Sequence, residues 1–311
     1  MSRPRFVAIV GPTATGKTAL ALEVAEAVGG EIVSADARQI YRRLDIGTAK
    51  PTVAERARVP HHCLDLAEPV ERFDVGRFRA AATQAIDRLT RAGRPIVIAG
   101  GTGLYVRVLL RGLCATGVPN ERLRDALTRA AEREPAELRR WLERLDSPAA
   151  LRIHPNDRVR TVRALEVALS SGRRLSDQQS EHAFKESPYE ALVLALAVPP
   201  ATLAHRIEAR VHSMVAAGWL DEVAALATDV PADAPGWQTL GYRELRGHLA
   251  GECTLDEALA STVSATRRLA KRQRTWFRAE PGLRWVDPVL DRGSVVAKAR
   301  AFLVANQPDA G

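Results

Sequence analysis

The chain has 311 residues, 46% of them hydrophobic and 26% charged, with a formal net charge of +8. These are ordinary globular values with room for one large or two smaller domains. No apolar run approaches the roughly 20 residues of a membrane span, and Cys63, Cys114 and Cys253 are too scattered to suggest a disulfide frame or a zinc site.

Met1-Ser2-Arg3-Pro4 leads at once into an apolar strand at residues 6–10, so no signal peptide is expected and a reducing cytoplasm is the simple reading. A Gly-rich loop follows, then a helix over 19–28, a strand at 31–34, a helix over 75–92 and a strand at 95–99. The strands are short, β-branched and closed by Gly or a small residue, as in buried parallel strands. This βαβ alternation predicts an α/β fold, a doubly wound parallel sheet of the phosphate-loop type. Between residues 113 and 187 the strand signal vanishes. Three helices are expected there, at 120–133, 135–145 and 157–171, the last capped by Asn156 or Asp157. The expected organisation is a catalytic core of 1–112 and 188–311, with an all-helical insertion of 113–187. After it come a strand at 191–198 stopped by Pro199-Pro200, and helices at 202–217, 220–227, 242–249 and 255–277. A last strand is expected at 283–286.

The loop reads Gly11-Pro12-Thr13-Ala14-Thr15-Gly16-Lys17-Thr18, or G-x-x-x-x-G-K-T, between a strand and a helix. Its backbone N–H groups can cradle phosphates, with the helix dipole behind them. Lys17 can reach the outer phosphate and the Thr18 hydroxyl can hold Mg2+. A lysine here is notable in a chain with five lysines and forty arginines. ATP, GTP or an organic diphosphate would each fit. Nucleotide hydrolases of this type usually carry an Asp at the end of an apolar strand, whereas the third strand runs into Ala99-Gly100-Gly101-Thr102-Gly103. The acid lies instead at Asp36, after the second strand, where a doubly wound sheet gathers its reacting groups. A carboxylate there can take a proton from an attacking acceptor; it can equally cap the segment at 37–41. Residues 261–278 carry six basic side chains and no acidic one, a composition suited to phosphates rather than to a salt-bridged surface.

Several motifs occur together, in order and across nearly the whole chain. They include G-P-T-A-T-G-K-T at 11–18, S-A-D-A-R-Q-I-Y at 34–41, D-I-G-T-A-K-P at 45–51, G-G-T-G-L-Y at 100–105, H-P-N-D at 154–157, G-Y-R-E at 241–244 and T-R-R-L-A-K-R-Q-R-T-W-F-R at 266–278. With them the chain resembles the bacterial tRNA dimethylallyltransferases. Ala37 stands where that family commonly has serine.

The resemblance implies transfer of a dimethylallyl group from dimethylallyl diphosphate to N6 of adenosine-37, next to the anticodon of tRNAs reading codons that begin with U. Pyrophosphate leaves, so the loop would hold a leaving group. The resemblance assigns catalysis to Asp36, Thr102 and Arg210. It assigns the diphosphate to residues 11–18 together with Arg206 or Arg210, which lie four apart on one helix, and Mg2+ to Thr18. For tRNA it implies Asp36, Ala37, Arg38, Gln39, Thr102 and Arg124, the stretch Val159, Arg160, Thr161, Val162 and Arg163, and the stretch Gln238, Thr239, Leu240, Gly241, Tyr242 and Arg243. The target base would be flipped into a channel ending at the diphosphate. The partners are then tRNA and dimethylallyl diphosphate, with no membrane and no obligate protein partner, and a monomer is expected. Two other readings share the loop: prenylation of free AMP or ADP, and a nucleotide kinase.

Overall fold

The computed structural model describes residues 3–114, 116–117, 120–182 and 188–304. The chain divides into two compact units, one made of Met1–Leu110 and Pro188–Gly311, the other of Arg111–Ser187.

The first unit is built on a six-stranded sheet. Its strands are β1 (Arg5–Val10), β2 (Glu31–Ser34), β3 (His61–His62), β4 (Ile96–Gly100), β5 (Glu190–Leu196) and β6 (Arg284–Val286). All pair in parallel, in the order β3-β2-β4-β1-β5-β6. β3 is absent from the sequence-based expectation, because two residues after Pro60 carry no periodicity. β4 lies between β1 and β2. Asp36 therefore follows the strand next but one to the loop, and the chain reverses direction across the sheet between β1 and β4, where such folds bind their ligands.

Helix α1 (Lys17–Val28) covers one face of the sheet. Its Leu20, Ala21 and Val24 meet Val7, Ile9, Val97 and Leu194, and the C-terminal helix packs beside it through Val295, Ala299 and Leu303. Before β4 come α2 (Val53–Arg58) and α3 (Val75–Arg91), with α3 packed on β2 and β4. α4 (Gly103–Arg111) leaves the end of β4.

The second unit holds α5 (Glu121–Arg133), α6 (Pro135–Leu145), α7 (Ser147–Arg152), α8 (Arg158–Ser171) and α9 (Leu175–His182). Asn120 and Asp157 cap α5 and α8 by accepting the backbone N–H groups of Leu123 and Arg160. Two short helices of 6 and 8 residues, α7 between the second and third expected ones and α9 after them, are too brief to show a repeating apolar stripe in the sequence. Buried Asp146 ties these two together: one carboxylate oxygen accepts the Ala149 N–H at 3.0 Å and the other the Ser176 N–H at 2.9 Å. Leu127, Leu138, Leu142, Val162 and Leu165 form this unit's own core.

The first unit resumes with β5 and then α10 (Pro200–Ala216), α11 (Trp219–Ala227), α12 (Tyr242–Leu249), α13 (Leu255–Arg278) and α14 (Arg292–Val304). Pro200 starts α10 at a first-turn position, where a missing N–H costs nothing. Gly218, at φ 95°, separates α10 from α11. A capping box of Thr254 and Glu257 starts α13. Among the described residues no helix is long and apolar enough to cross a membrane.

Candidate active site

The phosphate loop is shaped by three left-handed or glycine-only turns: Gly11 at φ 140°, Ala14 at φ 62° and Gly16 at φ 91°. A side chain at Gly11 would press within 3.2 Å of the Leu196 backbone. Thr15 is buried and its hydroxyl donates to the Pro12 carbonyl at 2.8 Å. Lys17 donates to the same carbonyl at 2.6 Å. Burial lowers the Lys17 ammonium to about pKa 8; nearby Asp36 pulls it up and nearby Arg210 pushes it down.

A small cavity of about 80 Å³ lies against this loop, lined by Lys17, Thr18, Asp36, Gln39, His61 and Arg210 among others. A second cavity, of about 570 Å³, opens beside it. Thr13, Asp36, Thr48, Arg210 and Gln273 line both, so they mark the junction. The Asp36 carboxylate and the Arg210 guanidinium lie at that junction, and Lys17 in the small cavity feels both charges. Burial lowers the Arg210 guanidinium from its usual range while the Asp36 charge raises it. Arg210 also donates to the Thr13 hydroxyl at 3.5 Å.

Two loops hold Asp36. One oxygen of its carboxylate accepts the Arg38 N–H at 2.9 Å, the turn-forming contact that capping at 37–41 would give. The Thr102 hydroxyl accepts the Ala37 N–H at 2.9 Å, and the Thr102 N–H donates to the Ala35 carbonyl at 3.2 Å. Any side chain at Gly100 would lie 2.2 Å from that carbonyl, so the two strand ends meet only because this residue is glycine. Gln39 is fully engaged: its oxygen accepts from the Ser34 hydroxyl and its nitrogen donates to the Thr48 and Ala49 carbonyls.

The segment 45–50 forms the wall at Thr48. The buried ammonium of Lys50 donates to the Tyr41 carbonyl at 2.7 Å, Asp45 at 2.5 Å and Asp65 at 2.7 Å. From the other side Glu222 accepts the N–H groups of Asp45 and Ile46 and the Tyr242 hydroxyl.

Gln273 gives no signal in the sequence beyond its place in the basic stretch. Its oxygen accepts the Thr13 N–H at 2.9 Å and its nitrogen donates to the Gly101 carbonyl at 2.8 Å. It thereby ties the phosphate loop to the loop after β4. Arg272 and Trp276, also on α13, line the larger cavity, and the guanidinium of Arg107 stacks 4.3 Å from the Trp276 ring.

The structure does not bring together every residue singled out from the sequence. Arg206 lines neither cavity; its charge acts on Asp287. Four residues later, Arg210 falls at the junction. Gln238, Thr239 and Leu240 line the larger cavity, whereas Tyr242 is sealed in the core with its hydroxyl on Glu222, and Gly241 is covered by the Trp219 ring. Arg243 is exposed and pairs with Glu244 at 2.8 Å.

In the helical unit, the period of α8 splits the expected contact stretch. Val159 is 81% exposed, but Thr161 and Val162 are 4% and 6% exposed, with Val162 in the unit's core and the Thr161 hydroxyl on the Asp157 carbonyl. Arg124 makes a two-pronged pair with Glu166 at 2.9 and 3.1 Å, and Arg163 joins the same carboxylate at 2.9 Å. Glu166 is 1% exposed. These two half-buried arginines therefore gather round one buried carboxylate. Arg160 stays at the surface beside Asp157, at 3.4 Å.

Among the described residues no group of three or more His, Cys, Asp or Glu side chains forms a metal cage. The small cavity does offer hard oxygen donors, the Thr18 hydroxyl and the Asp36 carboxylate. That set suits Mg2+, which is held by few protein groups and mostly by phosphate oxygens and water.

The family model for IPP transferase matches residues 39–280. A tRNA dimethylallyltransferase of Geobacter metallireducens is 47% identical over 287 residues, covering 92% of this chain and 93% of the relative. The chain belongs to the IPP transferase family. The phosphate loop lies ahead of the stretch matched by the family model. Among solved structures, the tRNA isopentenylpyrophosphate transferase of Bacillus halodurans aligns with a TM-score of 0.71 at 35% identity, covering 97% of this chain and 96% of that one. A eukaryotic dimethylallyltransferase acting on tRNA shares the fold, with a TM-score of 0.84 at 24% identity over all of this chain and 81% of that one. The IPP transferase fold thus places the Asp36 carboxylate and the Arg210 guanidinium at the junction of two cavities, with Lys17 of the phosphate loop in the smaller one.

Proposed function

We propose that this IPP transferase is a tRNA dimethylallyltransferase. It moves the dimethylallyl group from dimethylallyl diphosphate to N6 of the adenosine 3′ of the anticodon, in tRNAs reading codons that begin with U, and releases pyrophosphate. The observation that carries the reading is the meeting of a small cationic cup and a larger cavity at Asp36. A hydrolase needs only room for water beside its cup, and a kinase needs a space that takes a polar acceptor. Here a second space, lined by Ile207, Val211, Met214 and Leu269, reaches the same carboxylate.

The diphosphate sits against the loop N–H groups, with Lys17 and Arg210 at its charge. As the carbon–oxygen bond breaks, negative charge grows on the departing oxygen. Buried cations stabilise it more strongly than water could. Thr18, with the diphosphate oxygens, would hold Mg2+, which supplies further charge neutralisation there. The exocyclic amine of adenine is a weak nucleophile because its lone pair is drawn into the ring. Asp36 takes its proton as the carbon–nitrogen bond forms. Thr102 is a positioning residue, since its hydroxyl holds the turn on which Asp36 sits. The flipped base enters through the larger cavity, past Gln238 and Arg272.

The acting unit in this reading is a monomer. Its place of action in this reading is the cytoplasm, where tRNA acceptors are found.

The test is label transfer from radiolabelled dimethylallyl diphosphate to an unmodified tRNA with three consecutive adenosines in its anticodon loop. Label on tRNA, lost when Asp36→Asn removes the base while tRNA binding persists, is the expected result. Label on AMP but not on tRNA would favour the adenylate reading. ATP turnover without label transfer would favour a kinase.

A further inference from the structure

The larger cavity has two chemically distinct walls. Gly101, Thr102, Gln238, Arg272 and Gln273 offer polar groups on one side. The other begins beside Arg210 at the junction and is apolar: Ile207, Val211 and Met214 lie at helical spacing on α10, with Leu269 on α13 and Trp219 on α11. We infer that Trp219 closes the alkyl end of this cavity and limits the donor to a five-carbon chain. The inference rests on the prenyl-transfer reading given above.

Trp219 is suited to be a stop because it cannot yield. It is 1% exposed, and its ring is clamped between two glycines. A methyl group at Gly47 would fall 2.1 Å from the indole nitrogen, and one at Gly241 would fall 2.0 Å from the far edge of the ring. Tyr242 meets the ring edge-on at 5.6 Å between centroids. The Tyr242 hydroxyl is fixed by Glu222, and the same carboxylate holds the backbone at Asp45 and Ile46. Gly47 leads directly to Thr48 at the junction, so the clamp that immobilises the indole also builds the wall next to the reacting atoms.

The indole nitrogen is buried with no hydrogen-bond partner among the described residues. A close-packed wall of this kind resists enlargement, because its neighbours occupy every direction in which it could move. An indole is larger than the isoprene unit by which geranyl exceeds dimethylallyl. Replacing it with a smaller apolar side chain would free the room that the longer donor needs.

The experiment measures kcat/KM for dimethylallyl diphosphate and for geranyl diphosphate, with unmodified tRNA as acceptor, in the wild type, Trp219→Leu and Trp219→Phe. Each variant is checked for folding by circular dichroism, and Trp285→Leu on β6 is the control. One surplus methylene in an apolar pocket changes specificity by about 10–200-fold. The wild type should accordingly disfavour the ten-carbon donor by at least about 100-fold. Trp219→Leu should raise the geranyl-to-dimethylallyl ratio tenfold or more, Trp219→Phe should raise it less, and Trp285→Leu should leave it unchanged. A purely structural role would lower both donors together and leave the ratio fixed. An unchanged ratio in folded Trp219 variants would overturn the inference. So would loss of dimethylallyl transfer with no gain for geranyl, or a wild type that uses both donors equally. A wild type that transfers neither to tRNA would overturn the parent reading and this one with it.

Discussion

The side chain of Gln273 accepts the backbone N–H of Thr13 at 2.9 Å, across 260 positions of sequence. Through its other end, on the Gly101 carbonyl at 2.8 Å, it sets the spacing between the phosphate loop and the loop that carries Thr102. Gln273→Met keeps the length and removes both bonds. Displacing reacting groups by about 1 Å can cost about 10²-fold in rate. The expected outcome is a fall in kcat of about that size, with a raised KM for donor and tRNA affinity changed less than about threefold. Steady-state kinetics with each substrate varied in turn will check this.

Lys17 gives the reaction a pH limit. Burial brings its ammonium down to about 8. A diphosphate prefers the protonated form, so donor capture is at full strength below about pH 8 and weakens as pH rises through that value. The profile of kcat/KM for donor, which reports the free enzyme, should fall above pH 8 toward tenfold per unit. Lys17→Arg stays charged over the whole range. It should lose this limb even if its absolute rate is lower.

Arg206 and Arg210 separate by position alone. A charge-assisted hydrogen bond contributes about 1.5–3 kcal/mol, so Arg210→Ala should weaken donor binding about 10- to 100-fold. Arg206→Ala, away from both cavities, should change it by less than about 0.5 kcal/mol. Calorimetric titration with a non-reactive donor analogue distinguishes the two.

Much of the site is legible in the sequence because it is local. The loop, α1 and the turn at Asp36 each lie within a few residues of a strand end, and short-range rules describe them. What the sequence does not carry is pairing at a distance. Gln273 looks like one polar residue in a basic helix until the fold sets it against Thr13 and Gly101. The two arginines of α10 are equivalent by composition, and only the path of α10 past the junction separates them. On α8 the motif names a run of five residues, but a helix can turn only part of any such run outward. β3 escapes notice because two histidines owe their strand conformation to Ile32 and Val33 beside them, not to any propensity of their own. α14 offers small apolar residues without a marked stripe, and only the groove of α1 shows which of them are inside.

The helical unit should separate stability from RNA affinity. Glu166 is buried but Arg124 and Arg163 are 30% and 33% exposed, so Glu166→Ala should lower the unfolding midpoint of that unit, at a cost below the roughly 3–5 kcal/mol lost when a fully buried pair is broken. Arg160→Ala should leave the midpoint unchanged and reduce the slope of log affinity for tRNA against log salt by about 1. Thr161→Ala should leave the slope unchanged. Thermal melts and binding titrations over a salt series measure the two quantities independently.

Lys50 has one further consequence. Three oxygens, from Tyr41, Asp45 and Asp65, enclose its ammonium completely. In so arginine-rich a chain, amine-directed reagents have few targets, and this one is closed to them while the segment 45–50 keeps its shape. Acylation at Lys50 therefore serves as an alarm for unravelling of the wall beside Thr48, whereas acylation at exposed Lys271 on α13 and its suppression by RNA would register the acceptor's arrival.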